Sequence, residues 1–266
     1  SIYGWLRKSI ESDNGRNWIC RVYDNLSEAR NRNDIPSSLA YQNFIWDLKN
    51  YGFKGLVKLY GGLDKEEEIV LKDGLPRARL GVIPAISDIM LDFGDFASQS
   101  IKFILSRNIG SIVYVRNFQT WREGGSDLDA IESAIASSGK NIVFKTIQLE
   151  DESPTVAGVQ KWAAERVSAL IEGCGRSRGF MPDALLVSDD IAAKGAVKAL
   201  LGKNIAPLVV VMSNSGIEHD YGLPVVKYEF STQEIAEALI DILKTRIADL
   251  PLPPLPLMIK GKIKTA

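Results

Sequence analysis

The sequence is short of the residues that most site chemistry needs: it has one histidine, His219, and two cysteines, Cys20 and Cys174, in 266 residues. A zinc site needs several Cys or His ligands at short spacing, so no metal is expected. A Ser–His–Asp arrangement would have to use His219, and no Gly-x-Ser-x-Gly elbow accompanies it. Asn214-Ser215-Gly216 reads as a turn rather than a nucleophile. Two cysteines make no disulfide framework; Cys20 in an apolar pattern and Cys174 in a Gly-rich loop read as reduced cytosolic thiols. No apolar run approaches the roughly 20 residues that span a bilayer, and no signal peptide is visible at the start. Charge of one sign is also lacking, with 32 Lys and Arg against 33 Asp and Glu, net −1. A phosphate-binding face needs clustered cations, so this portion is not expected to hold nucleic acid by itself. Lys260, Lys262 and Lys264 alternate with Gly261 and Ile263, the spacing of a solvated strand edge. There is no glycine-rich phosphate loop; Gly61-Gly62 and Gly124-Gly125 read as turns. No cofactor is implied and no catalytic residue is assigned. Catalysis by paired carboxylates stays open, because acids are plentiful, but binding is favoured over catalysis.

What is present is a steady alternation of two periods. The chain is 45% hydrophobic and 24% charged, ordinary for a globular protein. Strand patterns are read at 18–23, 53–60, 78–83, 111–115, 141–149, 184–187, 208–212 and 225–230. Between them fall helical stripes: Phe44, Ile45, Leu48 and Tyr51 closed by Gly52, a short acidic helix at 64–72, and a helix from about Asp95 to Asn108. Leu128, Ile131 and Ile135 make the next stripe, followed by a long helix at 155–172 and a helix at 191–201. Ser231-Thr-Gln-Glu234 has the spacing of a capping box before a final amphipathic helix. Prolines from Pro251 to Pro256 stop that helix and lead into a terminal strand. Alternating strands and helices imply parallel sheets covered on both faces. The number of repeats exceeds one sheet of the usual five to six strands, so two sheets are expected. Ligands of such sheets lie beyond the carboxyl ends of the strands.

One stretch is specific: Met181-Pro-Asp-Ala-Leu-Leu-Val-Ser-Asp-Asp-Ile-Ala-Ala-Lys-Gly-Ala-Val-Lys-Ala-Leu-Leu201. It resembles the effector-binding domain of the lactose-repressor/galactose-repressor (LacI/GalR) family, whose pattern there is Pro-Asp-Ala, an apolar strand, Asn-Asp, then a helix with Ala and Gly. Leu105-Ser-Arg-Asn-Ile-Gly-Ser-Ile-Val-Tyr-Val115, Val225-Val-Lys-Tyr-Glu-Phe-Ser231 and Leu255-Pro-Leu-Met-Ile-Lys follow in the family's order. The resemblance covers essentially the whole chain with sparse identity. It implies an α/β fold of two doubly wound parallel-sheet lobes joined by a three-crossing hinge, of periplasmic-binding-protein-like type I. The N-terminal lobe would comprise 1–108 plus 222–248, and the C-terminal lobe 109–221 plus 249–266, with crossings near Asn108, Tyr221 and Leu250. Lobes joined in this way close on a ligand as hinged bodies. The family's first lobe opens with a central strand, whereas this sequence opens in the loop and helix after it. A continuation upstream of Ser1 is therefore expected, carrying that strand.

The resemblance also nominates ligand-binding positions. Tyr3 stands where the family often places an aromatic, a stacking surface for a sugar ring, or else a hydrophobic staple of the first helix. Asp92 and Asp95 surround the acidic position before the crossover helix, with Asp95 favoured as its cap. Asp189 replaces a ligand-contacting Asn, and Asn214 stands where an Asp is usual. Tyr228 and Phe230 lie on the return strand, with a core role favoured for Phe230. Tyr60 ends a first-lobe strand. At Asp127 the family usually has an Arg that grips the ligand; here Trp121 and Arg122 precede it in the loop, so either Arg122 substitutes for that Arg or the ligand bears no anionic group. Without a clear cationic clamp a neutral sugar or polyol is preferred over purines and phosphorylated sugars. The implied protein is a cytoplasmic transcription regulator, a homodimer that binds a small-molecule effector and reaches DNA only through a headpiece absent from this sequence. The alternatives are the solute-binding protein of a sugar transporter, with the same fold, and an enzyme on an α/β scaffold.

Overall fold

The computed structural model describes residues 1–12, 19–23, 39–59, 74–116, 126–149, 156–173 and 179–265. Helices form at α1 Ile2–Glu11, α2 Leu39–Asn50, α3 Phe93–Leu105, α4 Ser126–Ser137, α5 Val156–Glu172, α6 Asp190–Leu201 and α7 Thr232–Ile247. Strands form at β1 Leu56–Leu59, β2 Arg77–Gly81, β3 Ile89–Leu91, β4 Ser111–Arg116 and β5 Val143–Gln148. They continue as β6 Ala184–Val187, β7 Leu208–Asn214, β8 Val226–Phe230, β9 Leu257–Ile259 and β10 Lys262–Lys264. Among the described residues no helix is long and apolar enough to cross a membrane. The chain folds as two units, Ser1–Leu91 with Ser231–Ile259, and Asp92–Phe230 with Lys260–Ala266.

In the first unit the sheet order is β1-β2-β3-β9, all parallel. Helix α7 begins where Ser231 accepts a hydrogen bond from the Glu234 N–H at 3.1 Å, the N-cap that the Ser-x-x-Glu spacing anticipates. Its buried face, Ile235, Leu239, Ile242 and Leu243 among others, packs on β1, β2 and β3, and its flank meets α1. Arg246, in its last turn, forks onto Asp88 with bonds of 2.8 and 2.6 Å, and Asp88 also accepts from the Arg79 N–H at 2.9 Å. One carboxylate thereby ties the helix to the sheet. Strand β3 was not anticipated from the sequence: three residues, Ile89, Met90 and Leu91, all buried, show no alternation. The strand expected at 18–23 is corrected. Residues 19–23 enter no ladder among the described residues; Arg21 and Tyr23 instead bind Asp47 of α2, the former at 2.7 Å.

The second unit holds a six-stranded sheet, β10-β8-β7-β6-β4-β5, parallel except for β10, which runs antiparallel to β8. Strand β6 is buried along its whole length and β7 is buried except at its ends. Such continuous burial requires helices on both faces. On one face Val113, Val115, Leu185, Val187, Val209 and Val211 pack against α5 and α6. On the other, Tyr228 meets Phe96 of α3, and α3 packs on α4. Fully burying each such side chain stabilises by roughly 1.5–3 kcal/mol before entropy is subtracted. Helices α5 and α6 touch at Gly195, where a Cβ would lie 1.9 Å from the Gln160 carbonyl oxygen. The Pro-Asp-Ala motif has its own work at the amino end of the sheet. Asp183 accepts from the Gly110 N–H at 3.0 Å and the Ser111 hydroxyl at 2.9 Å, joining the entries of β4 and β6. The Ser111 hydroxyl and then the Gly110 amide hold its carboxyl below the usual range.

The division between units differs from the expected one. The chain passes between units at Leu91–Asp92, Phe230–Ser231 and Ile259–Lys260 rather than near Asn108, Tyr221 and Leu250. The reason is packing: α3 lies against α4, β7 and β10, so it belongs with the second sheet.

Candidate functional site

The carboxyl ends of five parallel strands of the second unit come together through their registers. Val115 is opposite Val187, Val187 opposite Val211, Arg116 opposite Gln148, and Asn214 opposite Phe230. The residues just beyond these pairs, Asp189 and Ser215 with Arg116 and Asn214, line one edge. In an open parallel sheet this edge is where ligands bind.

Asp189 is the N-cap of α6, its Oδ1 accepting from the Ala192 N–H at 2.8 Å. Asp190 sits in the first turn, where the helix dipole favours a carboxylate, with His219 Nε2 3.3 Å from it. The His219 ring stands edge-on to Tyr221, whose phenol is pushed well above its ordinary value, first by burial and then by the charges of Asp190 and Asp189. That phenol stays a neutral donor across the physiological range. Asn214 closes β7. Among the described residues its Oδ1 is buried without a hydrogen-bond partner, as are Ser213 Oγ and the Tyr221 hydroxyl. Buried polar atoms are nearly always paired, so this edge carries unused hydrogen-bonding capacity beside two carboxylates.

Asp127 is a correction. Its carboxylate is buried, with Arg116 bonded in a fork at 2.8 and 2.7 Å and the Tyr114 hydroxyl at 2.7 Å. The side chains of Arg116 and Asp127 are 4% and 1% exposed, so Asp127 balances an internal cation and does not face a ligand. Burial, and next the Asp127 charge, drives the Tyr114 phenol far above its ordinary value. Arg116 was missed by the sequence reading. Its signal was present: an arginine ending the apolar run Ile112-Val-Tyr-Val115 is a charge at the end of a core strand, and a buried charge demands a partner.

The acidic pair before the crossover helix also exchanges roles. Asp92, not Asp95, is the N-cap of α3, accepting from the Asp95 N–H at 2.8 Å. Asp95 instead accepts from the Tyr228 hydroxyl at 2.5 Å and from Gln99 at 2.7 Å. Tyr228 is fully buried and its hydroxyl also accepts from the Gly261 N–H at 2.8 Å, so it is a core residue rather than a ligand contact. Phe230 is buried edge-on to Tyr228, the core role expected for it. Tyr3, 40% exposed, lies on α1 of the first unit. Tyr60, Trp121 and Arg122 lie outside the described residues. Of the nominated positions the structure therefore brings Asp189 and Asn214 to one edge, and adds Ser213, His219 and Tyr221. Among the described residues no cluster of His, Cys, Asp and Glu is arranged to hold a metal ion.

No protein-family profile matches the sequence, and no curated protein matches it. Solved structures do. The chain is similar to a LacI-family transcriptional regulator from Arthrobacter sp. FB24 in complex with lactose, at 17% identity over 99% of this chain and 91% of that one, TM-score 0.70. It is similar to the Cra transcriptional dual regulator of Pseudomonas putida in complex with fructose 1-phosphate, at 15% identity over 99% and 93%, TM-score 0.69. The transcription regulator CcpA of Lactococcus lactis gives 17% identity over 99% and 92%, TM-score 0.68. The chain shares the two-lobe α/β fold of these LacI-family regulators along nearly its full length.

Proposed function

We propose that the chain is the ligand-sensing effector domain of a DNA-binding transcription regulator and that its effector is a small, uncharged, carbohydrate-like molecule. The observation that carries this reading is the near-complete overlap in fold with regulators, two of them solved with sugar ligands. On this reading the domain does no catalysis, works in the cytoplasm as a homodimer, and leaves DNA contact to a headpiece outside residues 1–266. The solute-binding protein of a sugar transporter is the second reading; the relatives named above are transcription regulators.

The chemistry of the carboxyl edge supports the ligand class. Asp189, Asp190, Asn214, Ser213 and Tyr221 offer carboxylate, amide and hydroxyl groups, the complement of a polyol. Arg116, a cation at this edge, is neutralised by Asp127 and so is already committed before any anionic group arrives. A thermal-shift panel of neutral sugars and polyols, each beside its phosphate ester, tests this directly. A ligand at a hundred times its Kd stabilises by about 2.7 kcal/mol, a readily measured rise in Tm. Stabilisation by a neutral member is the expected result. Stabilisation by phosphate esters alone would reassign the ligand class, and no response to any member would remove the carbohydrate reading.

A further inference from the structure

The three connections between the units converge on one hydrogen-bonded node inside the second unit. The first, Leu91–Asp92, leads within three residues to Asp95. The second, Phe230–Ser231, leaves from β8, two residues after Tyr228. The third, Ile259–Lys260, is followed at once by Gly261. The Tyr228 hydroxyl donates to Asp95 Oδ2 at 2.5 Å and accepts from the Gly261 N–H at 2.8 Å, so one phenol bridges all three. Lys260 Nζ stands 3.6 Å from the other carboxylate oxygen of Asp95.

Packing holds this phenol in place. The Tyr228 ring is fully buried, edge-on to Phe96 of α3 at 5.4 Å and to Phe230 at 5.3 Å. Gly261 is required: a Cβ there would lie 2.3 Å from Tyr228 Cε1 and 2.7 Å from the Glu229 carbonyl oxygen. Asp92 caps α3 through the Asp95 amide, which fixes the turn that presents the Asp95 carboxylate. A hydrogen bond between a neutral phenol and a carboxylate in a partly buried site is of the stronger, charge-assisted kind.

We propose that Tyr228, Asp95 and the Gly261 amide form a clamp that gathers the three inter-unit connections and fixes them to one another where they enter the second unit. Tyr228 is thus a positioning residue of the hinge. With the clamp closed, flexing of the connections is confined to the first-unit side of the node, so the three segments bend together instead of independently.

Segment-resolved hydrogen exchange on the full chain tests this without any ligand, so its outcome and that of the sugar panel are read independently. Tyr228→Phe keeps the ring and its packing and removes only the bridging oxygen. The expected result is a joint acceleration, about tenfold or more, of the amides around residues 92–96, 228–232 and 259–262. The amides of β4, β6 and β7 keep their protection. Acceleration at Gly261 alone, at none of the three, or evenly across the second unit would overturn the clamp. Should Tyr228→Phe fail to fold, Asp95→Asn weakens the same node by removing its charge, and the same three segments must respond together, to a smaller degree; any other pattern overturns the proposal.

Discussion

The two units share a parallel-sheet architecture but place their charges differently. In the first unit two ion pairs are half-open, each a buried carboxylate under a more exposed arginine: Arg246–Asp88 has side chains 28% and 9% exposed, and Arg21–Asp47 49% and 9%. Strand β1 is only partly buried at every position. In the second unit Arg116–Asp127 is enclosed, a phenol bonds to it, and β6 is buried throughout. The difference teaches where each unit is vulnerable. A pair whose cation reaches solvent is partly screened by salt. An enclosed pair contributes little over an apolar replacement but is costly to break, because the partner left behind is a buried, unbalanced charge.

The largest expected effect follows from that asymmetry. Asp127→Ala strands Arg116 and should lower stability by about 3–5 kcal/mol, read from urea unfolding with hydrogen exchange assigning the loss to the second unit. A loss below about 1 kcal/mol would mean that water reaches Arg116 and that the contrast between units is weaker than drawn. Next is Gly195→Ala. Its Cβ meets the Gln160 carbonyl at 1.9 Å, so α5 and α6 must separate, at about 1–3 kcal/mol, again in the second unit. The first unit's counterpart is smaller: Arg246→Ala leaves the buried Asp88 carboxylate with its bond from the Arg79 N–H and should remove about 1–3 kcal/mol. That loss should shrink as salt rises, whereas the Asp127→Ala loss should hardly change.

Alkaline titration sharpens the same contrast without altering stability at neutral pH. Burial, then the bond to Asp47, pushes the Tyr23 phenol of the first unit up to about 12. Burial raises Tyr114, Tyr221 and Tyr228 of the second unit further still. Each folded-state value lies above the unfolded value of about 10. Their contribution is therefore fully present below about pH 10 and is lost as pH rises through the folded values. Phenolate absorbance should show Tyr23 ionising ahead of the second unit's three tyrosines, which stay silent until that unit opens; Tyr→Phe variants assign the steps.

Much of the second unit was legible because its strands are separated by strongly periodic helices. The segment from Met181 to Leu201 became β6, a capping aspartate and a small-residue helix at the expected positions. Less was legible where long-range partners decide a residue's role. The pattern at 18–23 alternates like a strand, yet Arg21 and Tyr23 turn to Asp47 on α2. Reading α3 from Asp95 rather than Phe93 moved the cap by three residues and misassigned both aspartates. Asp127 was read by analogy as a ligand position because nothing local reveals that Arg116, eleven residues earlier, claims its charge. Tyr228 likewise depends on partners 133 and 33 residues away. Of the candidate site, Asp189 and Asn214 were visible beforehand; Ser213 lies next to Asn214 within β7, and Tyr221 and His219 came only with the loop that follows it.

On the proposed reading the carboxyl edge of the second sheet binds an uncharged sugar or polyol. Its most direct test is a calorimetric titration of the best-stabilising neutral sugar into the wild-type chain and into Asn214→Ala, with Asp189→Ser as a control that keeps a capping oxygen while removing the charge. The account predicts that both variants remain folded and that each weakens binding about tenfold or more. Wild-type affinity in both would contradict it.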